Sequence, residues 1–201
     1  YISPVTAIVT DGEAVAPTVE SISINGGQDQ RSRVDVVEVT FSQVVDIDSE
    51  GGDPFLFTRI DDGSAVADIA SIDHSSGKTV VSFAFDTSDS SVTSFGSLAD
   101  GRYQLQIDAA RVSGSGLALD GDADGSAGGN YVFGDEDADN FFRKYGDQSG
   151  NNAVDLIDFG SLRQTFGKTS ADVGFERGLD SDGNDQIDLI DFAAFRANFG
   201  S

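Results

Sequence analysis

The sequence predicts two domains, an all-β sandwich followed by a small all-α domain. In residues 17–134, short runs of alternating apolar and polar residues are separated by turns rich in Gly, Asp and Ser, which is the pattern of antiparallel strands. Residues 147–201 contain a duplicated segment whose apolar residues recur at helical intervals. The predicted boundaries are 1–16 for a linker or the tail of a preceding domain, 17–134 for the sandwich, 135–146 for a connector and 147–201 for the helical domain.

The strand prediction depends on four runs, VESISI (19–24), VDVVEVTF (34–41), TVVSFAF (79–85) and RYQLQI (102–107). Their spacing predicts about seven strands in an antiparallel sandwich. The order of an opening PTV, a central VTFSQVVD, then LADGRYQLQI and LALDGDADG resembles bacterial Ig-like surface modules. That resemblance implies that this domain acts as a spacer or presents its neighbour.

The duplicated segment reads DQSGNNAVDLIDFGSLRQTFG from Asp147 and DSDGNDQIDLIDFAAFRANFG from Asp180, so the copies begin 33 residues apart. Oxygen-bearing side chains fall at positions 1, 3, 5, 9 and 12 of both copies. An EF-hand-type loop uses this spacing to surround a calcium ion with roughly six to eight oxygens. With the carbonyl of position 7, the predicted ligands are Asp147, Ser149, Asn151, Ala153, Asp155 and Asp158 in loop 1 (147–158), and Asp180, Asp182, Asn184, Gln186, Asp188 and Asp191 in loop 2 (180–191).

Other positions of the two loops agree with this interpretation. Position 6, where EF-hand loops turn sharply on a Gly, holds Asn152 and Asp185, which tolerate positive φ better than other non-Gly residues. Position 8 is Val154 and Ile187, apolar as expected if the two loops pair and bury it. Loop 2 has four carboxylates at ligand positions against three in loop 1, so we expect loop 2 to bind its ion more tightly. The alternative, solvated Asp-rich turns without metal, is disfavoured by the repeat and its shared register.

A duplicated calcium loop with an exiting helix and no entering helix resembles the dockerin module, in its type I form, over Asp147–Ser201 with Phe141–Gly146 as a lead-in. Dockerins dock secreted enzymes and surface proteins onto cohesin domains in a calcium-dependent manner, so the resemblance implies a cohesin-like partner. Many cellulosomal dockerins carry Ser-Thr where this chain has Leu-Ile twice, and their specificity is not implied. The resemblance places partner contacts at Leu156, Ile157, Arg163, Leu189, Ile190 and Arg196.

Together these features predict the fold class as an all-β Ig-like sandwich followed by a small all-α dockerin-like pair of EF-hand-type calcium loops with helices. We expect two helices, packed antiparallel and capped by Gly167 and Gly200. Off the apolar stripe, Ile157, Ile190 and the two arginines either contact a partner or pack on the upstream domain. The stripe expected to be buried consists of Leu156, Phe159, Leu162 and Phe166 in the first copy and of Leu189, Phe192, Phe195 and Phe199 in the second.

A third acidic segment at Asp120, Asp122 and Asp124 begins like an EF-hand loop, but Gly128 and Tyr131 occupy its positions 9 and 12. A third calcium site would therefore need other side chains to complete the shell. The alternative is a Gly/Asp-rich connection between the domains. The candidates for completing the shell are Asn130, Asp135 and Asp137.

Composition narrows the function classes. The chain has 12 Lys and Arg against 35 Asp and Glu, a net charge of −23. This charge disfavours binding to nucleic acid and to acidic membranes, and it attracts divalent cations. Cysteine is absent, so thiol chemistry and disulfides are excluded. There is no apolar run of transmembrane length, and we expect a monomer that is secreted or on the cell surface. The missing initiator Met suggests the C-terminal part of a larger protein.

Catalysis has little support in the sequence, and we expect no enzyme. The one histidine, His74, lies in a predicted turn, HSSGK, without a recognisable nucleophile signature, and no phosphate-binding Gly-rich loop opens a helix. The absence of Trp and the presence of only 4 Tyr count against a sugar-binding cleft.

Three functions remain open. The chain is a calcium-dependent protein-docking module, or a calcium-stabilised structural cap of a surface or adhesive protein with its two domains packed together, or, more weakly, a carrier of a carbohydrate-binding β-domain. Exposure of Leu156, Ile157, Leu189 and Ile190 favours docking, whereas their burial against the β-domain favours the cap.

Overall fold

A computed structural model describes residues 13–63, 68–85, 87–89, 91–93 and 95–201. Most of the predicted linker at 1–16 lies outside the described residues. Over the described ranges the chain forms 11 strands and two α-helices. They are β1 (Val19–Ile24), β2 (Val37–Phe41), β3 (Asp46–Ile47), β4 (Phe55–Arg59), β5 (Asp68–Asp73), β6 (Val80–Ala84), β7 (Gly101–Ile107), β8 (Val112–Gly114), β9 (Leu117–Ala118), β10 (Tyr131–Phe133), β11 (Phe142–Arg143), α1 (Leu156–Thr165) and α2 (Leu189–Asn198).

The strands form three small sheets whose ladders are antiparallel. The first has the order β1-β2-β6-β5, and the second has the order β10-β7-β11 with β4 also paired to β7. A third sheet, β3-β8-β9, is smaller, and its β8–β9 turn places both Ser115 and Gly116 at positive φ. All four runs predicted as strands contain one of these elements.

The first two sheets share one apolar core. Alternate residues of β2 and β7 point inward because side chains on a strand alternate between faces. Phe83 of β6 lies 5.0 Å from Phe55 and 4.8 Å from Phe57 of β4, measured between ring centroids, so aromatic rings from the two sheets meet edge to face. The fully buried residues of β2 and β7 are Val37, Val39, Phe41, Tyr103, Leu105 and Ile107.

The predicted fold class is wrong. The strands are spread over three small sheets, and residues 147–201 do not form an all-α domain: their two helices have ten residues each, and the rest is loops, turns and a 3-10 turn at Arg177–Leu179. The physical reason lies in the loops. Aspartate side chains there accept hydrogen bonds from the backbone N–H groups that a helix would use, and several loop residues have positive φ. The residues at positive φ in the two loops are Gly150, Asn152, Gly183 and Asp185.

Both helices begin and end as their sequences suggest. Asp155 caps α1 by accepting a hydrogen bond from the Ile157 N–H at 2.7 Å, and Asp188 caps α2 in the same way. Beyond each helix, Gly167 and Gly200 have φ of 83° and 86°, as expected of glycines that follow a helix end. No helix within the described ranges is long and apolar enough to span a membrane.

Candidate metal centre and helix face

Loop 2 brings three carboxylates together. Oxygens of Asp180, Asp182 and Asp191, at positions 1, 3 and 12, all lie within 4.8 Å of one another. Asp180 and Asp191 are buried, whereas Asp182 is exposed. A group of this kind could hold a metal ion, because the carboxylate oxygens converge on one point and one side of the group is open to solvent.

Backbone N–H groups hold the buried carboxylates of loop 2 in place. Asp180 Oδ2 accepts from the Asp185 N–H at 2.9 Å, and Asp191 Oδ2 accepts from the Asp188 N–H at 2.7 Å. The first carboxylate therefore organises the middle of the loop and the last carboxylate joins its start to the helix. Further donors are the Gly183 and Asn184 N–H groups to Asp180 Oδ1 and the Ser181 N–H to Asp191 Oδ1.

Loop 1 repeats this framework with one carboxylate fewer. Asp147 and Asp158 are both fully buried and take the roles of Asp180 and Asp191. Ser149 replaces Asp182, and its hydroxyl lies 3.3 Å from Asp147 Oδ1. The donors are the Gly150, Asn151 and Asn152 N–H groups to Asp147 and the Gln148, Ser149 and Asp155 N–H groups to Asp158.

Ionising the first carboxylate of each loop costs free energy when no cation is bound. Burial is the largest cause that raises the pKa of Asp147, the neighbouring Asp158 raises it further, and the backbone donors oppose the rise. Burial likewise raises the pKa of Asp180, and Asp191 adds to it. Burial and a neighbouring carboxylate thus disfavour the ionised forms of Asp147 and Asp180, whereas a bound cation would favour them.

The remaining predicted ligands have local roles as well. Asp155 and Asp188, at position 9, accept from helix N–H groups as N-caps. At position 5, Asn151 Oδ1 accepts from the Ala153 N–H and Asn184 Oδ1 accepts from the Gln186 N–H, both at 2.8 Å. The cluster of three carboxylates in loop 2 is thus formed by positions 1, 3 and 12. Positions 5 and 9 instead stabilise the turn and the start of the helix.

Position 8 is buried, although the loops do not pair as expected. Val154 and Ile187 are both fully buried. The Ile187 N–H donates to Lys168 O at 2.9 Å, and the Gly200 N–H donates to Val154 O at 2.8 Å. Each loop therefore pairs with the chain that leaves the helix of the other copy, which makes the two halves interdependent.

The third acidic segment forms a partial cage. Asp120 is buried, Asp122 and Asp124 are exposed, and their oxygens lie within 4.8 Å of one another. Two of the three candidates for the other half are engaged elsewhere: Asn130 Oδ1 accepts from the Ala109 N–H at 3.0 Å, and Asp137 pairs with Arg102 at 2.7 Å. The third candidate, Asp135, is exposed.

The four Leu and Ile residues assigned to partner contact are exposed. Leu156 and Leu189 expose 75% and 73% of their surface, and Ile157 and Ile190 expose 64% and 55%. Arg163 and Arg196 are exposed too. This outcome favours docking over burial against the β strands.

The predicted buried stripe is largely wrong. Leu162 and Phe195 are buried, but Leu156, Leu189, Phe166, Phe192 and Phe199 are exposed. A second apolar core lies beneath the helices, and each helix contributes only one fully buried apolar residue to it, Leu162 and Phe195. The residues that complete it are Tyr145, Val154, Leu179 and Ile187.

The exposed side of the helices contains two related apolar grooves, which we call the helix face. The start of α1 lies beside the end of α2, and the end of α1 lies beside the start of α2. The helices therefore run antiparallel as predicted. The first groove, of about 420 Å³, is lined by Leu156, Phe159, Phe192, Phe195, Arg196 and Phe199. The second, of about 350 Å³, is lined by Phe159, Leu162, Arg163, Phe166, Leu189 and Phe192.

His74 lies apart from these features. Its Nδ1 is 2.8 Å from Thr79 Oγ1, and the neighbouring Asp73 accepts from Ser75. These contacts close a tight turn between β5 and β6.

Comparison of the chain with family models, with curated proteins and with solved structures finds no match.

Proposed function

We propose that residues 147–201 bind one calcium ion in each loop and, in that state, dock a partner protein through the helix face. The resemblance to dockerins suggests a cohesin-like partner and a location outside the cell. The observation that carries the proposal is that three carboxylates of loop 2 converge, on a framework that loop 1 repeats, while five of the eight stripe residues of the two helices are exposed.

The choice of calcium follows from the donors. Every predicted ligand is a carboxylate, an amide, a hydroxyl or a backbone carbonyl, and such hard oxygen donors suit calcium. Positive φ at Asn152 and Asp185 supports the sharp turn at position 6 that an EF-hand-type loop needs. The net charge of −23 also attracts divalent cations.

Calcium has a structural role in this proposal. A bound ion offsets the repulsion between Asp147 and Asp158 and between Asp180 and Asp191, so its binding free energy contributes to folding. Because each helix begins within its loop, and each loop pairs with the chain behind the other helix, an ion in either loop helps to hold the helix face together.

The exposed apolar surface supports docking. Large apolar patches on a protein surface mark interaction sites more often than single exposed residues do. The loops also contact turns of residues 17–134, through Ser32 and Phe95 among others, but these residues do not line the helix face. The structural-cap function is therefore the second candidate, and both functions are compatible.

The charges of the helix face indicate the partner's chemistry. Arg163 and Arg196 line the two grooves at equivalent positions. A second copy of this chain would bring like charges together, both at these arginines and overall, since each chain carries −23. A different protein with an apolar surface flanked by acidic side chains fits better.

Binding to a panel of immobilised cohesin domains tests the proposal. We expect the full chain to bind at least one domain in calcium and to lose binding in a chelator. The Leu156→Asp/Leu189→Asp variant, which places a charge in both grooves of the helix face, should lose binding but keep both calcium ions. Binding that survives complete chelation, or a panel with no binder, contradicts the docking function.

A further inference from the structure

We infer that the β region (residues 17–134) braces both loops in their ion-binding form, so that calcium and the β region stabilise each other. The inference rests on the calcium binding proposed above and goes beyond it, because it assigns a positioning role to residues that lie far from the loops in sequence. Four contacts carry it.

The first contact is a single hydroxyl that joins the starts of both loops. Ser32 is fully buried. Its Oγ accepts a hydrogen bond from the Gly146 N–H at 2.7 Å and donates one to Gly178 O at 2.5 Å. Gly146 directly precedes loop 1, and Gly178 lies two residues before loop 2. Ser32 therefore sets the spacing between the two loops.

The second contact involves the fourth residue of each loop. A Cβ atom on Gly150 would lie 1.9 Å from Asp29 O, and one on Gly183 would lie 2.8 Å from Phe95 Cβ. Equivalent positions of the two copies are thus pressed against two different parts of the β region. Both glycines also have positive φ, so close approach and backbone conformation require Gly there.

The third contact is a backbone pairing at the start of loop 1. The Arg31 N–H donates to Asp147 O at 2.8 Å, and Arg31 O accepts from the Lys144 N–H at 2.9 Å. The Arg31 side chain fixes the turn that carries this pairing, because its guanidinium donates to four backbone carbonyls. These belong to Gln28, Asp29, Gln30 and Asn140.

The fourth contact reaches α2. Asp100 Oδ1 accepts from the Tyr145 N–H at 2.7 Å and from Arg143 Nη1 at 2.7 Å. Asp100 Oδ2 accepts from Asn198 Nδ2 at 3.3 Å. One carboxylate of the β region therefore holds both the lead-in to loop 1 and the last turn of the second helix.

These contacts bear on calcium affinity because they belong to the closed form of the loops. Without a cation, the adjacent buried carboxylates of each loop repel and favour a more open arrangement. Every contact that the β region makes only with the closed form lowers the cost of closing, and so strengthens ion binding. Linkage is reciprocal: an ion bound to the closed form stabilises the β region by the same coupling.

Two serine variants of the full chain test the inference. Ser32→Ala removes the hydroxyl that joins the loops. Ser97→Ala is the matched control, because Ser97 is also fully buried and its Oγ also makes two backbone contacts, accepting from the Val34 N–H and donating to Leu98 O, entirely within the β region. In calorimetric titrations with calcium alone, we expect Ser32→Ala to raise the Kd about tenfold and Ser97→Ala to leave it within about twofold.

A second variant keeps the test decisive if Ser32→Ala fails to fold. Phe95→Ala removes a partly exposed ring against loop 2, and it should weaken the loop 2 step about threefold without changing the loop 1 step. Calcium should also raise the melting temperature of the β strands in the parent chain.

The outcomes separate the two proposals. Equal Kd values for the Ser32→Ala, Ser97→Ala and Phe95→Ala variants and the parent would overturn the bracing role and leave calcium binding intact. A parent chain that binds no calcium would overturn the proposed function itself, and the bracing role with it.

Discussion

Loop 1 and loop 2 have nearly the same backbone contacts but differ in the charge they offer an ion. In both, the first carboxylate accepts from the N–H groups of positions 4 to 6, and the last accepts from those near the loop start and from position 9. Position 3 is Ser149 in loop 1 and Asp182 in loop 2. Positions 1 and 12 therefore hold the same conformation in both loops, whereas we expect position 3 to set how strongly each loop binds the proposed ion.

The most damaging change should be at position 12, which serves both loops in the same way. Asp158→Ala or Asp191→Ala removes a ligand and also the acceptor that joins the loop start to its helix, leaving backbone N–H groups unpaired. We expect each variant to lose one calcium ion from the titration, a weakening of about a hundredfold or more at that step. Glu50→Ala, an exposed acidic residue far from the loops in sequence, is the control. Loss of both ions from one variant would show that the loops are coupled more tightly than the comparison assumes.

The next largest effect should come from changes in the two grooves of the helix face. Leu156→Asp and Leu189→Asp place a charge in equivalent grooves, each lined by one arginine. If the partner covers both grooves, each variant should weaken partner binding by about 2 kcal/mol or more, while calcium titrations stay unchanged. Surface plasmon resonance with a binding partner checks this. An effect confined to one leucine would assign docking to one half alone.

Exchanging the residues at position 3 of the two loops tests directly whether the number of carboxylates ranks their affinities. Ser149→Asp adds a carboxylate to loop 1, and Asp182→Ser removes one from loop 2. Because the loop frameworks match, the double exchange should reverse the order of the two affinities, with a change of about tenfold at each step. Single variants assign the calorimetric steps. An unchanged order would show that contacts with the β region, rather than carboxylate count, rank the loops.

The smallest effect should come from the third acidic segment. Asp122→Asn/Asp124→Asn removes two exposed carboxylates that lie outside both loops. The two steps assigned to the loops should keep their affinities within about twofold. Loss of either step in the titration would mean that the ion assigned to a loop binds at Asp120 instead.

Local sequence patterns predicted the local structure well. Positive φ at Asn152 and Asp185, the glycines Gly167 and Gly200 beyond the helix ends and the strand at residues 19–24 all follow from residue type and short-range spacing. These features depend on contacts between residues that are close along the chain, so a single sequence contains the information.

Long-range features escaped prediction for a physical reason. Helical periodicity shows that Phe166, Phe192 and Phe199 share a side, but it does not say whether anything covers that side, and they are exposed. Strand patterns likewise do not specify which strands pair, so one sandwich was predicted where three sheets occur. The contacts of Ser32 and Phe95 with the loops join segments that are distant in sequence, and no residue spacing predicts them.

A calorimetric calcium titration of the chelator-stripped full chain, followed by circular dichroism, tests the central claim most directly. We predict two binding steps, the tighter one weakened about tenfold in Asp182→Ser, with a gain of helical signal that a chelator reverses. No binding, with the helical signal already complete in the chelator, would mean that the loops are acidic turns and would contradict both the calcium centres and the docking function built on them.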